Sequence, residues 1–381
     1  MFILYSQCEM ISRVIDEFQP SIIFCIERNY FIKTTVACLA KARGIQMETL
    51  IHSRIENRHY FADNYGLGVS TRLIENMNIV TVDQIENVVS FLKKKDETEL
   101  NSRTLYAGMT ESLLTKLNFG KQYPIGAILS DLRQLTVLLL KLFAFRDSGW
   151  LKSGEKYGGS SWWRAAIYES MYFLRKSGYY INGIRGSFHD VPSSPYIYYP
   201  LHYRPESSVL TLGNGMDDES AILFICQRLP FGMKLAVKEN PSMIGDRRAS
   251  FYRKISAIDG VVLIDPCIPT SKLAENSLGV ISISGTALLE AGLKDIPAHA
   301  IGNPEFKEFL TSYGLDSVEN FLVDCSMRKA RSCKADLTRY LSFILESKIN
   351  CFLGWDTVSN KQKLDHAATM ISAELVKLIK L

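Results

Sequence analysis

The sequence predicts an α/β protein of two Rossmann-like domains, with a helix-rich section in the N-terminal half. Three observations carry that expectation. At 381 residues the chain exceeds the size at which one hydrophobic core usually stops growing, so two domains are expected. In the second half, short runs rich in β-branched and aromatic residues alternate with segments of helical periodicity, the pattern of a parallel sheet covered by helices. The first half begins with the same alternation and then turns helical.

Residues 2–5 are short for a first strand, so either residues 21–26 open the sheet or a strand and its glycine loop are missing. Residues 21–26 read as a buried strand, 31–42 as a helix ending at Gly44, and 46–51 as the next strand. Helical patterns follow at 82–92, 110–117, 125–145 and 162–176, with the solvated run Lys93-Lys94-Lys95-Asp96 among them. A Gly-, Ser- and aromatic-rich stretch ends in Val191-Pro192-Ser193-Ser194-Pro195, where proline bars helix continuation and marks a boundary. Beyond it, strands are expected at 196–201, 233–237, 261–264, 278–284 and 298–301, and helices at 217–229, 246–255, 271–275 and 286–293. The expected domains are therefore 1–190, with its helical section, and 191–345. Residues 346–381 follow as C-terminal helices with room to pack back on the first domain.

Composition narrows the function classes. Hydrophobic residues make up 47% and charged residues 22%, ordinary for a globular chain. With 44 basic against 40 acidic residues and no long basic run, a nucleic-acid partner is not expected, whereas an anionic small ligand needs only a local positive patch. The eight cysteines form no C-x-x-C pair and the six histidines no H-E-x-x-H. They read as free thiols in a reducing compartment, with no metal site. Residues 1–20 lack a signal-peptide pattern, and the longest apolar stretch, 135–145, is well short of the roughly 20 residues a spanning helix needs. A cytoplasmic protein is expected, either free or peripheral at the inner face of the membrane. In the second case Arg133, Lys141 and Arg146 of the 125–145 helix would meet head groups.

The sharpest local signal is the apolar run into Ser284-Gly285-Thr286, with a helix starting at once and Glu290 one turn further in. Exposed N–H groups and the positive dipole end at such a helix start suit phosphate. Gly285 lets the backbone approach, Ser284 and Thr286 offer hydroxyls, and Glu290 suits ribose hydroxyls. The bland reading is an N-cap and a tight turn. Val237-Lys238-Glu239-Asn240-Pro241 ends another strand, where open sheets bind ligands; Lys238 there suits an anion. Arg247, Arg248, Arg253 and Lys254 follow as further cations or as a solvated face.

A third segment, Tyr198 to Ser208, gathers His202, Arg204 and Glu206 and leads into Gly213-Asn214-Gly215. His202 and Glu206 are acid–base candidates, although a lone histidine at a strand end is often structural. Glu27 ends the first-half strand, and the run after the next strand, with Arg54 and Asn57, offers polar side chains to a ligand; both sets can equally cap helices. Asp217-Asp218-Glu219 reads as a helix N-terminus. Trp162, Trp163, Tyr168, Tyr172, Phe173, Tyr179 and Tyr180 read as core before sugar platform.

Three of these pieces together resemble the bacterial capsular polysaccharide biosynthesis proteins, a group that includes the Kdo transferases of capsule-linker assembly. The first is Tyr199-Pro200-Leu201-His202-Tyr203-Arg204-Pro205-Glu206-Ser207 and the second Val237-Lys238-Glu239-Asn240-Pro241. The third is Ser282-Ile283-Ser284-Gly285-Thr286, followed by Glu290-Ala291 and Lys294-Asp295-Ile296-Pro297. They span about 100 residues, and residues 20–65 are similar more loosely.

The resemblance implies a GT-B-like fold whose two Rossmann-like domains face across a cleft. It implies a glycosyltransferase that moves a sugar from a nucleotide-sugar donor, CMP-Kdo-like or other, to a glycan or glycolipid acceptor of a surface polysaccharide, with neither cofactor nor metal. Gly213, Lys238, Asn240, Ser284, Gly285, Thr286 and Glu290 would hold the donor. Arg54 and Asn57 would hold the acceptor, and Glu27, His202 or Glu206 would move the proton. The family has Lys-Glu-His-Pro where this chain has Lys238-Glu239-Asn240-Pro241, and commonly Tyr-Gln-Pro-Glu where it has Tyr203-Arg204-Pro205-Glu206. Asparagine donates a hydrogen bond but carries no charge. Two alternatives stay open: a diverged, non-catalytic member of a polysaccharide-assembly complex, and a nucleotide-sugar epimerase-like enzyme.

Overall fold

The computed structural model describes residues 2–26, 30–53, 58–63, 125–144, 162–184, 188–202, 212–213, 215–240, 243–265, 268–310, 317–346, 349–350 and 361–379. The helices expected at 82–92 and 110–117 lie outside them. Within them the chain is an α/β protein built on two sheets with parallel pairing. Its packing gathers residues into two compact units. One holds 1–109, 205–217 and 274–381; the other holds 110–204 and 218–273.

The first sheet has the order β1-β2-β3-β9. It opens at β1 (Ile22–Ile26), and residues 2–5 belong instead to a helix, α1 (Phe2–Phe18). The reason is a period of 3.6: Cys8, Ile11 and Ile15 fall on one face, with Ile15 buried. Arg43 fixes α1 by bonding Asp16 Oδ1 at 2.8 Å and Ser12 Oγ at 2.7 Å. α2 (Tyr30–Ala42) ends where Gly44 takes φ +68, with Ile45 N–H on Ala40 O at 2.9 Å and Gly44 N–H on Lys41 O at 3.2 Å. That is the 6→1 and 5→2 bond pair of a Schellman cap, and it turns the chain into β2 (Gln46–His52), parallel to β1.

Strand alternation on β2 then serves two faces. Met47 joins Ala37 and Ala40 of α2, while Leu50 joins Phe61 of β3 (Arg58–Ala62), Ile349 of β9 (Ile349–Asn350) and Ala367 of α11 (Lys361–Ile379). Strands β3 and β9 are antiparallel additions that the sequence pattern did not reveal.

The helical section contributes α3 (Ile125–Ala144) and α4 (Trp162–Ile184), which meet through Leu138, Leu139 and Ala165. The aromatic run on α4 divides. Tyr179 is core, with its ring 4.9 Å from that of Tyr252, but Trp163 is 48% exposed. Neither helix is long and apolar enough to cross a membrane, nor is any other among the described residues.

The second sheet has the order β6-β5-β4-β7-β8. Its elements are β4 (Tyr196–Pro200), α5 (Asp218–Cys226), β5 (Lys234–Lys238), α6 (Ala249–Ser256), β6 (Val261–Ile264), α7 (Thr270–Glu275), β7 (Gly279–Ser282), α8 (Thr286–Leu293) and β8 (Ala298–Ala300). The strands read as unbroken apolar runs because both their faces are covered: Ile197, Leu235, Ala236, Val237, Val280 and Ile281 are wholly buried. The buried phenol of Tyr196 donates to Leu273 O at 2.8 Å, the partner such a group needs. α9 (Val318–Ser326) and α10 (Lys334–Glu346) complete the unit containing α8, and Gly292 of α8 leaves room only for Cys333 and Leu337 of the α10 region. Among the described residues the cysteines at 8, 25, 38, 226, 325 and 333 are free thiols.

Candidate functional site

Two strand ends of the unit holding 110–204 and 218–273 carry sequence-predicted residues. Strand β5 ends on Lys238, and alternation sends Lys238 and Glu239 opposite ways. Lys238 Nζ donates to Thr270 Oγ1, the first residue of α7, at 3.2 Å. Glu239 turns inward. Its Oε1 accepts the Asn240 N–H at 2.7 Å, its Oε2 accepts the Tyr252 hydroxyl, and the same oxygen lies 2.9 Å from Arg247 Nε. The Asn240 carbonyl accepts from Met243 N–H at 2.8 Å, which completes the turn.

Beside it, Leu201 N–H donates to Lys238 O at 2.9 Å, so the chain leaves β4 still bonded to β5. His202 is buried there, with Nδ1 2.8 Å from Asp218 Oδ1. Asp218, the first residue of α5 and fully buried, also accepts the Tyr199 hydroxyl at 3.1 Å, and its Oδ2 lies 3.0 Å from Arg247 Nη2. Arg247 Nη2 donates in addition to the main-chain oxygen of His202.

The reading of Asp217-Asp218-Glu219 as a helix start holds for position, but it missed that Asp218 is the hub of a buried network. The reading of Arg247 as one cation among four missed its burial, at 8% exposure, while Arg248, Arg253 and Lys254 stay exposed. The overlooked signal was Arg247 lying close to Tyr252 and Ile255, which point inward from α6.

Burial pushes the Glu239 carboxyl up to about 7, against the pull of the Arg247 charge and the Tyr252 and Asn240 hydrogen bonds. Burial also lowers the affinity of Arg247 for its proton, but Glu239 and Asp218 outweigh it and hold the group above its ordinary value. Burial and then the Glu239 charge raise Tyr252. The cluster is one cation shared by two buried carboxyls, and buried charges are stable only when paired.

The other unit contains the strand-to-helix segment. From β7 the chain passes Ile283, Ser284 and Gly285 into α8. Ser282 Oγ accepts the Gly285 N–H at 3.3 Å, and Ser284 is buried. Gly285 is the N-cap, with φ −70 and ψ 150, and brings no side-chain cap to the first-turn N–H groups. Thr286 opens the helix, and Glu290, half-buried, lies four residues on and so on the same face. Gly302 N–H on Ile283 O at 2.9 Å and Asn303 N–H on Leu212 O at 2.7 Å bring the turn at Gly213 beside this segment. A Cβ at Gly302 would run into the Leu212 and Ile283 carbonyls, so glycine is needed for that approach. Glu27, Arg54, Asn57 and Glu206 lie outside the described residues. Among the described residues no three His, Cys, Asp or Glu side chains gather as a metal site.

No family model matches the chain, and no curated protein matches its sequence. Among solved structures it is similar to the β-Kdo 2,4 transferase KpsC of Thermosulfurimonas dismutans, at 14% identity and a TM-score of 0.36, over 84% of this chain and 78% of that one. It is also similar to MnaA of S. aureus in complex with UDP, at 11% identity and a TM-score of 0.27, over 89% of this chain and 78% of that one. The UDP-GlcNAc 2-epimerase of Neisseria meningitidis bound to UDP-GlcNAc is similar at 12% identity and a TM-score of 0.27, over 90% and 80%. At these TM-scores the site rests on its own residues and geometry.

Proposed function

We propose that the chain is a GT-B-like, metal-independent glycosyltransferase that moves a sugar from a nucleotide-sugar donor to a surface-polysaccharide acceptor. The observation that carries this reading is the passage from β7 through Ser284-Gly285 into α8, with a glycine N-cap, Thr286 at the helix start and Glu290 one turn in. A helix start of that kind offers N–H groups and a positive dipole end to phosphate, and Glu290 suits ribose hydroxyls. Lys238 at the end of β5 supplies a cation, and the motif resemblance joins both segments to one donor. In the reaction the acceptor hydroxyl bonds to the sugar's anomeric carbon as the bond to the nucleotide phosphate breaks. Its proton passes to Glu27, Glu206 or His202, whose Nδ1 lies 2.8 Å from Asp218 Oδ1. Acting at the inner face of the membrane fits a glycolipid acceptor.

A second reading, a non-catalytic polysaccharide-assembly protein, is favoured by the neutral Asn240. Incubation with CMP- and UDP-sugars separates the readings. Nucleotide release that requires acceptor supports transfer, and release without acceptor points to elimination of the epimerase kind. Binding without release points to the assembly role.

Asn240 is expected to weaken the grip on the donor without abolishing it. One lost charge-assisted hydrogen bond amounts to about 1.5–3 kcal/mol, roughly ten- to hundredfold in affinity. Asn240→His should therefore tighten donor binding, most of all below about pH 6.5, where an unperturbed imidazole is charged. Titration calorimetry across pH 5.5–8 checks this, and unchanged affinity throughout would remove residue 240 from the phosphate.

A further inference from the structure

We propose that Arg247 is a positioning residue that locks the turn after β4 to the turn after β5 and so sets where His202 and Lys238-Glu239-Asn240 stand. Its bearing on donor binding rests on the transferase reading above.

The guanidinium reaches three groups from three different elements. Its Nη2 donates to the main-chain oxygen of His202, beyond β4, and lies 3.0 Å from Asp218 Oδ2 at the start of α5. Its Nε lies 2.9 Å from Glu239 Oε2, beyond β5. The plane is held in turn by the Phe251 ring, 4.8 Å away. From each carboxyl the tie continues to a predicted site residue: Asp218 takes the His202 ring, and Glu239 takes the Asn240 N–H. Arg247 is not among the donor or acid–base residues proposed above, and acts through the residues it holds.

A hydrophobic side chain could fill the same volume, and buried ion pairs often gain little stability over such a replacement. What a hydrophobic side chain could not do is donate to a main-chain carbonyl while its charge lies between two carboxyls. That needs the planar fork of arginine, which lysine lacks. The tethered segments are carboxyl ends of parallel strands, where open α/β sheets present their ligand groups. Small displacements there translate into poorly aligned donor contacts.

The test compares wild-type protein with Arg247→Lys, which keeps the charge and loses the fork, by amide hydrogen exchange and by CMP- and UDP-sugar binding. Exchange at Leu201, Asn240 and Met243 is expected to quicken about tenfold or more while the amides of β6 hold their rates. Donor Kd should rise by about tenfold. Unchanged exchange at those three amides, a uniform rise across the unit, or an unchanged Kd for a sugar nucleotide that binds wild type overturns the proposal.

If Arg247→Lys does not fold, Glu239→Gln serves instead, since it loosens only the β5 side. Asn240 and Met243 should then quicken while the His202 ring resonances stay in place; movement of both sides, or of neither, counts against the clamp. If no CMP- or UDP-sugar binds the wild type, the transferase reading fails and the exchange pattern alone decides the clamp.

Discussion

Asp218→Ala is expected to lower the unfolding free energy by about 3–5 kcal/mol. Asp218 is fully buried and answers three groups at once: the Tyr199 hydroxyl, His202 Nδ1 and the Arg247 guanidinium. Removing it leaves a buried cation short of a carboxylate and takes a hydrogen-bond partner from two buried polar groups, each loss with its own cost. Its neighbour gives the control. Glu219 pairs with Lys254 at 3.1 Å, but both side chains are largely exposed, so Glu219→Ala should cost no more than about 1 kcal/mol. Urea unfolding of the two variants measures the contrast, and similar losses for both would mean that the network is decorative.

The second large effect is on pH. In the folded protein Glu239 is pushed from an ordinary 4.5 up to about 7, chiefly by burial, with Asp218 adding to the rise and Arg247, Tyr252 and Asn240 opposing it. Between those values the folded state holds a proton that the unfolded state has released, so stability falls as pH rises through the window. At about 1.4 kcal/mol per pKa unit the fall approaches 3 kcal/mol by pH 8. Glu239→Gln, which cannot titrate, should be flatter over the same range. The decisive quantity is the difference between the two stability profiles from pH 4.5 to 8, because other titrating groups cancel in it. A constant difference would show that Glu239 ionises in the folded protein as it does in water.

The second sheet was legible in the sequence because its strands are buried on both faces. β6 and α8 fall at the expected residues, and β4, β5, β7 and β8 within a few. The first sheet was legible only where it is parallel. Strand β3 opens with Arg58 and His59, which look like loop residues until the fold buries His59. β9 is two residues whose pairing with β3 comes from the far end of the chain. Helix α1 was obscured because the apolar start at Phe2 also suits a strand, and only the spacing of Cys8, Ile11 and Ile15 decides.

The candidate site divides in the same way. The positions of Lys238 and Ser284-Gly285-Thr286 at strand ends were legible because strand ends followed by turns are local patterns. The ties among His202, Asp218, Glu239 and Arg247 were not, since no local spacing announces which carboxyl a fold will bring to which cation.

The central claim is that this chain binds a sugar nucleotide, and its melting temperature in the presence of CMP- and UDP-sugars tests that most directly. A ligand at about 100 times its Kd stabilises the folded state by about 2.7 kcal/mol. At least one sugar nucleotide should therefore raise the melting temperature of the wild type, and Lys238→Ala should reduce that rise. A wild-type melting temperature unmoved by every sugar nucleotide at millimolar concentration would contradict the account.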